Sequence, residues 1–367
     1  MGRLLLVENQ GSMIGGGQWS FLQLVRQLKD KWEIRCVCPA DGELVAYLEE
    51  AGLEVEIVPM PAIRVGNAFD ILKSIWRFVA LIRGHRAELV HANGSRCMFY
   101  SGVAGWLARV PVTWHVRIAE SDARWDRFLG ALAKRVVVIS GAVARRFDQT
   151  PVANKTELVY NGIDIGQLQA AESPNLKAEL GLDGAIVGMV ARITPEKDHR
   201  TFLEAARILA GAVGSIHFWI VGEAPDPDLL ADLRCQTERS GLADRVLFLG
   251  ARNDVAGIMK EMDVLVHCTH SEGFGRVIIE AMAVGTPVVA SAVDGIPEIV
   301  TDRGLGRLVP EGDGKKVASA AREILEHENL RNDLINNGRT SVVERFSIVK
   351  HGEAMDRLFG RIVAGRR

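Results

Sequence analysis

Short apolar segments alternate with amphipathic segments in two consecutive series along this chain, and this alternation restricts the folds available to it. Each apolar segment has the length of a buried strand, and each segment after it has the apolar spacing of a helix. Repeated strand-then-helix order predicts parallel sheets covered by helices on both faces. The predicted strands are Leu4–Val7, Ile34–Cys38, Val55–Val58, Leu89–Ala92, Val112–His115 and Val136–Ile139, then Ile186–Val190, His217–Val221, Val246–Leu249, Val264–Cys268 and Val288–Ala290.

The two series predict two doubly wound domains, which a chain of 367 residues can accommodate. We place the first domain at residues 1–164 and the second at 165–344, with a polar linker at Asn161–Asn175. A last amphipathic segment, at about 345–367, predicts one more helix. The other predicted helices are Trp19–Lys29, Glu43–Glu50, Asp70–Arg83, Arg96–Ala108, Arg200–Ala210, Asp226–Ser240, Val277–Val284 and Lys315–Glu326.

The composition is that of a soluble globular enzyme, with 48% hydrophobic and 25% charged residues. The formal net charge of −2 argues against bulk binding of nucleic acid. The five cysteines are odd in number and show no metal-ligand spacing, so they favour a reduced, cytosolic setting and no metal site. No apolar segment approaches the roughly 20 residues of a membrane span, and Leu4–Val7 is too short for a signal peptide.

The sequence HSEGFGRVIIEAMAVGTPVV, residues 270–289, joins a predicted strand to a predicted helix. Glu272 lies in the turn and Glu280 lies on the helix. The glycines at 273 and 275 and the free N–H groups of the helix start favour an anion. The two carboxylates can accept hydrogen bonds from hydroxyl groups, so the simplest ligand carries both phosphate and sugar. The alternative for Glu280 is a carboxylate on the helix surface.

Two further groups point to phosphate. Arg192 and Lys197 lie near the carboxyl end of a predicted strand, where they could bind phosphate oxygens or could be solvated loop cations. A glycine cluster at residues 15–17 follows the first strand and precedes the first helix. It could admit an oxyanion or form a plain turn, and its spacing is neither the dinucleotide-binding pattern nor the P-loop pattern.

The segments described above, together with others along the chain, resemble the family-four group of retaining glycosyltransferases. They follow that family's order over nearly the whole chain. The resemblance implies the α/β GT-B fold: two facing Rossmann-like domains with a cleft between them, and a C-terminal helix that returns to the N-terminal domain. The most specific segment contains the family's Glu-x7-Glu element. The resembling segments are IGGGQ, VVVISGAVARRF, YNGID, VGMVARITPEKDH, FWIVGEAPD, VLFLGARNDV and HSEGFGRVIIEAMAVGTPVVASAVDGIPEIV.

The resemblance also implies roles for individual residues. Glu280 would hold the ribose of the donor, and Glu272 would contact its sugar and take part in catalysis. Arg192 and Lys197 match the Arg and Lys of the family's diphosphate site, and both would also act in catalysis. The other residues matched to the nucleotide-sugar site are Gly16, Gly17, Gly273, Phe274 and Gly275.

The first domain is matched less closely. His115 corresponds to the histidine that the family places near the transferred sugar, so we predict a catalytic contact for it; the alternative is a core histidine. The Asp that usually follows is Val116 here, and the histidine expected upstream is Asn93. We predict acceptor contacts for Arg64, Asn67 and Asn93.

The resemblance implies a retaining transfer of sugar from a UDP- or GDP-linked donor to a hydroxyl of a glycan or lipid-linked acceptor, without metal or cofactor. The setting would be polysaccharide or lipopolysaccharide biosynthesis in the cytoplasm. Two alternatives remain: a nucleotide-sugar epimerase of the GT-B type, and a non-catalytic GT-B protein that binds a nucleotide sugar. Residues 70–86 mix apolar and basic side chains. They predict either a core helix with a basic outer face or a peripheral contact with anionic lipid.

Overall fold

The structure is a computed structural model that describes residues 1–13, 15–301 and 304–365. The chain divides into two compact units. The N-terminal unit consists of Met1–Gly162 and Ile348–Arg367, and the C-terminal unit of Ile163–Ser347. The sequence analysis placed the corresponding divisions at 164/165 and 344/345.

The N-terminal unit is built on one parallel sheet. Its elements before residue 163 are β1 (Gly2–Glu8), α1 (Gly16–Leu28), β2 (Trp32–Cys38), α2 (Glu43–Glu50), β3 (Glu54–Ile57), α3 (Ala68–Gly84), β4 (Leu89–Asn93), α4 (Ser95–Ala108), β5 (Val112–Val116), α5 (Ala123–Leu132), β6 (Arg135–Val138), α6 (Gly141–Arg145) and β7 (Thr156–Leu158). The strands pair in the order β3-β2-β1-β4-β5-β6-β7. Glu8 of β1 is in register with Asn93 of β4, and Asn93 with His115 of β5. Polar residues therefore gather at the carboxyl edge of this sheet.

The C-terminal unit repeats the arrangement. Its elements are α7 (Ile165–Ala170), α8 (Leu176–Glu179), β8 (Ala185–Val190), α9 (His199–Ala212), β9 (Ile216–Val221), α10 (Pro227–Arg239), β10 (Val246–Gly250), α11 (Val255–Glu261), β11 (Val264–His267), α12 (Arg276–Val284), β12 (Val288–Ser291), α13 (Ile296–Ile299), β13 (Arg307–Val309), α14 (Gly314–Glu326) and α15 (Glu328–Arg345). The strand order is β10-β9-β8-β11-β12-β13, and all pairs are parallel. The prediction of two Rossmann-like α/β domains is confirmed. In such sheets ligands bind beyond the carboxyl ends of the strands where the strand order reverses, here between β8 and β11.

The predicted linker at Asn161–Asn175 contains the division between the two units, at 162/163, but it is not irregular throughout, because it contains α7. Asp164 begins that helix by accepting a hydrogen bond from the backbone N–H of Gln167 at 2.9 Å. Asn161 is buried, with 4% of its surface exposed. The sequence analysis read the segment as irregular because six residues are too few to show a helical period.

The chain returns to the N-terminal unit through α16 (Ile348–Ala364), as predicted. Of the segment predicted as this helix, Arg366 and Arg367 lie outside the described residues. The apolar face of α16 joins the core formed by α1, β1 and β2. Its buried members are Met355, Leu358, Phe359 and Ile362.

The cysteines are free, and Cys36 and Cys38 are buried core residues, as predicted. Burial raises the pKa of the Cys38 thiol to about 12. Among the described residues, no helix combines the length and the hydrophobicity that a membrane crossing requires.

We predict that Phe359→Ala lowers the free energy of unfolding of the N-terminal unit by about 3–5 kcal/mol, as for a truncated core aromatic. Phe359 is fully buried and contacts the rings of Trp32 and His91. Val349→Ala on the same helix, at a residue that is 53% exposed, should change it by less than about 0.5 kcal/mol. Urea unfolding of both variants measures the difference. Equal effects would contradict the assignment of α16 to the core.

Candidate active site

Two loops meet at the point in the C-terminal sheet where the strand order reverses. One loop follows β8 and the other follows β11, and these strands are parallel neighbours. The backbone carbonyl of Glu196 joins the loops, because it accepts hydrogen bonds from the His270 N–H at 2.8 Å and from the Thr269 hydroxyl at 2.9 Å. The predicted phosphate ligands and the predicted sugar ligand are therefore held on one edge by main-chain geometry.

Lys197 and Glu272 form an ion pair at this edge. The Lys197 ammonium lies 2.6 Å from Oε2 of Glu272, and each side chain is about four-fifths buried, with 22% and 21% exposed. The imidazole Nε2 of His267 lies 3.3 Å from the same carboxylate oxygen. His267 is the last residue of β11 and is 2% exposed. The sequence analysis did not single it out.

The Glu272 carboxyl is ionised in this setting. Burial alone would raise its pKa, but the hydrogen bond from His267 and the charge of Lys197 outweigh burial and hold the pKa well below the usual range of a glutamate. The site therefore presents a carboxylate that accepts hydrogen bonds and an ammonium that can turn to another anion.

The turn that carries Glu272 is fixed by Asp294. The Asp294 carboxylate accepts hydrogen bonds from the Ser271 hydroxyl at 2.7 Å and from the Glu272 N–H at 2.9 Å. The turn then enters α12 through Gly275, whose φ of +100° favours glycine. Gly295 packs so closely on the turn that a Cβ there would lie 2.5 Å from the Gly273 carbonyl oxygen. Gly275 thus shapes the helix start, and Gly295 allows the next turn to pack against it.

Glu280 lies just over one turn into α12, and its side chain is 21% exposed. Arg276, one turn earlier, donates to Oε1 of Glu280 from Nε at 3.1 Å and from Nη2 at 2.7 Å. Phe274 was predicted to bind the nucleotide sugar, but its ring is 2% exposed and packs edge-on against Phe346 at 5.6 Å. Any contact of Phe274 with a ligand is therefore limited to its backbone.

Arg192 is exposed two residues beyond β8, and its guanidinium forms no hydrogen bond or ion pair within the described part of the chain. The backbone beside it is fixed, because the Ala191 N–H donates to the Val221 carbonyl at 2.9 Å. The loop that follows β9 passes so close that a Cβ on Gly222 would lie 1.9 Å from the Ala191 carbonyl oxygen. Arg192 is an accessible cation on a rigid support.

The predicted glycine loop of the N-terminal unit leads into α1 at Gly16, and Ile14 lies outside the described residues. Gly15 is extended, with a φ of −175°, and its N–H donates to the Gln18 side chain at 3.1 Å. A Cβ on Gly17 would make only an ordinary contact, 3.7 Å from Cδ of Arg117. The backbone therefore does not itself require glycine at 15 or 17.

A network of hydrogen-bonded polar side chains, which was not predicted, crosses the carboxyl edge of the N-terminal sheet. Glu8 is fully buried, and its carboxylate accepts hydrogen bonds from Asn93 and, at 3.3 Å, from Gln18. Arg117 donates from Nε to Asn93 at 2.6 Å and from Nη1 to Asn161 at 2.7 Å. Burial raises the pKa of Glu8, while its hydrogen bonds oppose that rise. A carboxylate at the end of the apolar run LLLVE was the available signal.

This hydrogen-bond network includes Asn93, which was predicted to contact the acceptor. Both ends of its amide are bonded within the protein, and it is 3% exposed. The other two predicted acceptor residues lie on a surface loop. Arg64 is exposed, and Asn67 donates to the Ala62 carbonyl at 2.8 Å.

His115 lies in the core of the N-terminal unit, with no exposed surface. Its Nδ1 is 3.3 Å from Nε2 of His91 and 3.5 Å from Nη2 of Arg117, and its ring stacks on His351 of α16. Burial lowers the pKa of His91 to about 3 and that of His115 well below its usual value, so both are neutral. The structure places His115 as a core histidine, and contact with a sugar would require its neighbours to move.

Two family models match the chain, one in each half. Residues 14–167 match the family described as Glycosyltransferase Family 4, and residues 173–341 match Glycosyl transferases group 1. The D-inositol 3-phosphate glycosyltransferase of Mycobacteroides abscessus is 34% identical over 71% of this chain and 65% of its own length. The same-named protein of Segniliparus rotundus is covered over 56% of its length. The chain thus spans less than two thirds of these two relatives.

Other comparisons cover nearly the whole chain. The UDP-Gal:alpha-D-GlcNAc-diphosphoundecaprenol alpha-1,3-galactosyltransferase of Escherichia coli is 27% identical over 92% of this chain and 91% of its own length. The protein chain in the crystal structure of Anabaena Alr3699/HepE in complex with UDP and glucose is 25% identical in sequence to this chain. The superposition covers 98% of this chain and 100% of the HepE chain, with a TM-score of 0.85.

Proposed function

We propose that this chain, which belongs to the group 1 and family 4 glycosyltransferases, transfers a sugar from a nucleoside diphosphate sugar to a hydroxyl group of a glycan or lipid-linked acceptor. We further propose that the transfer retains the anomeric configuration and needs no metal ion or cofactor. The HepE complex with UDP and glucose supports UDP as the nucleotide, and the Escherichia coli relative supports a diphosphate-linked lipid acceptor.

The ion pair between Lys197 and Glu272 is the observation that carries this proposal. It places an ammonium and an ionised carboxylate 2.6 Å apart where the strand order of the sheet reverses, with Arg192 on the same loop as Lys197. A nucleoside diphosphate sugar carries anionic oxygens next to hydroxyl groups, which are the two kinds of partner that this pair accepts. Glu280 is assigned to the ribose, with its carboxylate oriented by Arg276.

During transfer, the bond between the anomeric carbon and the outer phosphate oxygen breaks, and negative charge develops on that oxygen. Lys197 and Arg192 stabilise this charge, together with the N–H groups at the start of α12. We assign Glu272 to the sugar hydroxyls, because its lowered pKa keeps the carboxylate ionised and able to accept their hydrogen bonds. The acceptor then attacks on the face that the diphosphate leaves, and a phosphate oxygen takes its proton, which retains the configuration.

The outer face of α3 supports an acceptor at a lipid surface. One face of the predicted segment lies in the core, with Ile75, Phe78, Val79 and Ile82 buried as in the first of the two predicted alternatives. The outward face, however, exposes Phe69 at 80%, Leu72 at 54% and Trp76 at 55%. Exposed Lys73 and Arg77 lie beside these residues. Apolar side chains interleaved with cations are the chemistry that an anionic membrane surface binds.

Incubation of the purified chain with a panel of UDP-, GDP- and ADP-sugars tests the proposal. Release of the nucleotide with transfer or hydrolysis of the sugar would support a glycosyltransferase. A changed sugar that is still attached to its nucleotide would support the epimerase instead. Tight binding with neither reaction would support the non-catalytic alternative.

With the donor that proves active, Lys197→Ala and Arg192→Ala should each lower kcat by roughly 10²–10³, as for a lost oxyanion donor. Arg200→Ala is the matched control, because Arg200 is exposed on α9 and pairs with Asp232. Steady-state kinetics measures all three. Near-normal turnover in folded Lys197 and Arg192 variants would remove these cations from the mechanism.

Activity should survive excess EDTA, because fixed cations take the electrostatic role that a divalent metal would otherwise fill. Initial rates with and without the chelator provide the measurement. Loss of activity in EDTA that Mg²⁺ or Mn²⁺ restores would overturn the metal-independent mechanism.

Trp76→Ala and Phe69→Ala should each weaken binding to phosphatidylglycerol vesicles by about tenfold or more, because each removes an aromatic side chain worth about 1.5–3 kcal/mol when buried. Cosedimentation measures the binding. Leu180→Ala is the control, since Leu180 is 43% exposed in the C-terminal unit. Equal binding to neutral phosphatidylcholine vesicles would rule out the contribution of Lys73 and Arg77.

A further inference from the structure

We propose that His267 is a positioning residue, which holds the carboxylate of Glu272 in place when Lys197 turns from that carboxylate to the diphosphate of the donor. This inference rests on the proposed function and assigns a part of the reaction to a residue that no motif marks.

Lys197 and His267 approach the same atom of Glu272. Oε2 of Glu272 lies 2.6 Å from the Lys197 ammonium and 3.3 Å from His267 Nε2. In the part of the chain that the structure describes, Oε1 has only a long contact of 3.4 Å with the backbone N–H of Phe274. A diphosphate that draws Lys197 away therefore removes the shorter of the two contacts on Oε2. The contact that remains on that oxygen is the one from His267.

The two donors differ in their freedom to move. Lys197 lies in the single 3₁₀ turn Pro195–Lys197 and reaches the site through a flexible four-carbon chain. His267 ends β11, where its backbone is in register with Ala290 of β12, and its side chain is 2% exposed. The ring has little freedom to leave, so it can act as the fixed partner while the lysine exchanges.

The ring of His267 turns Nε2 to the carboxylate. Within the described residues, Nδ1 of His267 is buried without a hydrogen-bond partner, and Nε2 faces the carboxylate. A proton on Nε2 fits this arrangement, because Nε2 then donates to Oε2. Among the described charged groups at this turn, Lys197 pairs with the Glu272 carboxylate and Asp294 accepts a hydrogen bond from the Glu272 N–H. His199 is also close, and burial lowers its pKa to about 4, so it is neutral.

A positioning role makes two demands on the kinetics. Loss of the His267 hydrogen bond should misplace Glu272 against the sugar and lower kcat, while binding of the bare nucleoside diphosphate should stay unchanged because no sugar is present. Loss of that bond should also raise the pKa of Glu272 in the complex with donor, where Lys197 is engaged elsewhere. The acid limb of the pH profile of kcat reports that complex.

The experiment compares His267→Leu with His267→Gln in the full chain, using the donor that the wild type accepts. Gln keeps an N–H donor at a reach close to that of Nε2, and Leu fills the space without a donor. We expect Leu to lower kcat by about 10- to 100-fold and to move the acid limb to higher pH. UDP affinity measured by calorimetry should stay within about twofold. Gln should restore most of kcat and the wild-type pH profile.

If His267→Leu fails to fold, His267→Gln still tests the proposal. A folded Gln variant that has lost all turnover would overturn the positioning role of His267. An active wild type with unchanged kcat and pH profile in His267→Leu would overturn the role of His267 alone. A kcat loss that Gln does not restore would assign His267 to packing. A wild type that transfers no sugar from any donor would overturn the proposed function, so the two failures are distinguishable.

Discussion

The parallel pairing of β8 with β11 is the constraint on which the candidate active site depends. Neighbouring parallel strands end at the same edge of a sheet, so the loop with Arg192 and Lys197 and the loop with Glu272 must leave it side by side. The shared carbonyl of Glu196 then fixes the distance between the loops through two hydrogen bonds. Neither loop has to be long or regular, because the sheet supplies its position.

The fold could be predicted well because the strands are nearly continuous apolar runs. Such runs between helical segments are typical of parallel strands that are buried on both faces. Some of the elements missed have a weak pattern. Strands β7 and β13 have three residues each, and α15 is polar over most of its length. A short strand and a polar helix are defined by the surface on which they pack, and that surface is not visible in their own residues.

The candidate site was partly predictable for the same reason. Arg192, Lys197, Glu272 and Glu280 lie where motif positions meet strand ends, and the predicted strand ends were accurate there. Glu8 and Arg117 were missed because their importance comes from partners distant in sequence: Glu8 reaches Asn93, 85 residues away. His267 was missed although its partner Glu272 is near in sequence, because no motif includes it. His115 shows the reverse case, since a motif match alone did not indicate that its ring would be buried.

The C-terminal unit starts and finishes at one place, because Ile163 forms a β-bridge with Ser347 and donates its N–H to the Phe346 carbonyl at 2.9 Å. It is thus an insertion into the N-terminal unit, which needs Met355, Leu358 and Phe359 of α16 to fill its core. During synthesis on the ribosome, residues 1–162 cannot complete the core of the N-terminal unit until the C-terminal unit and then α16 have been translated. The uncovered apolar surface on α1 would meanwhile be open to chaperones, so the order of synthesis and the order of folding are opposed in this chain.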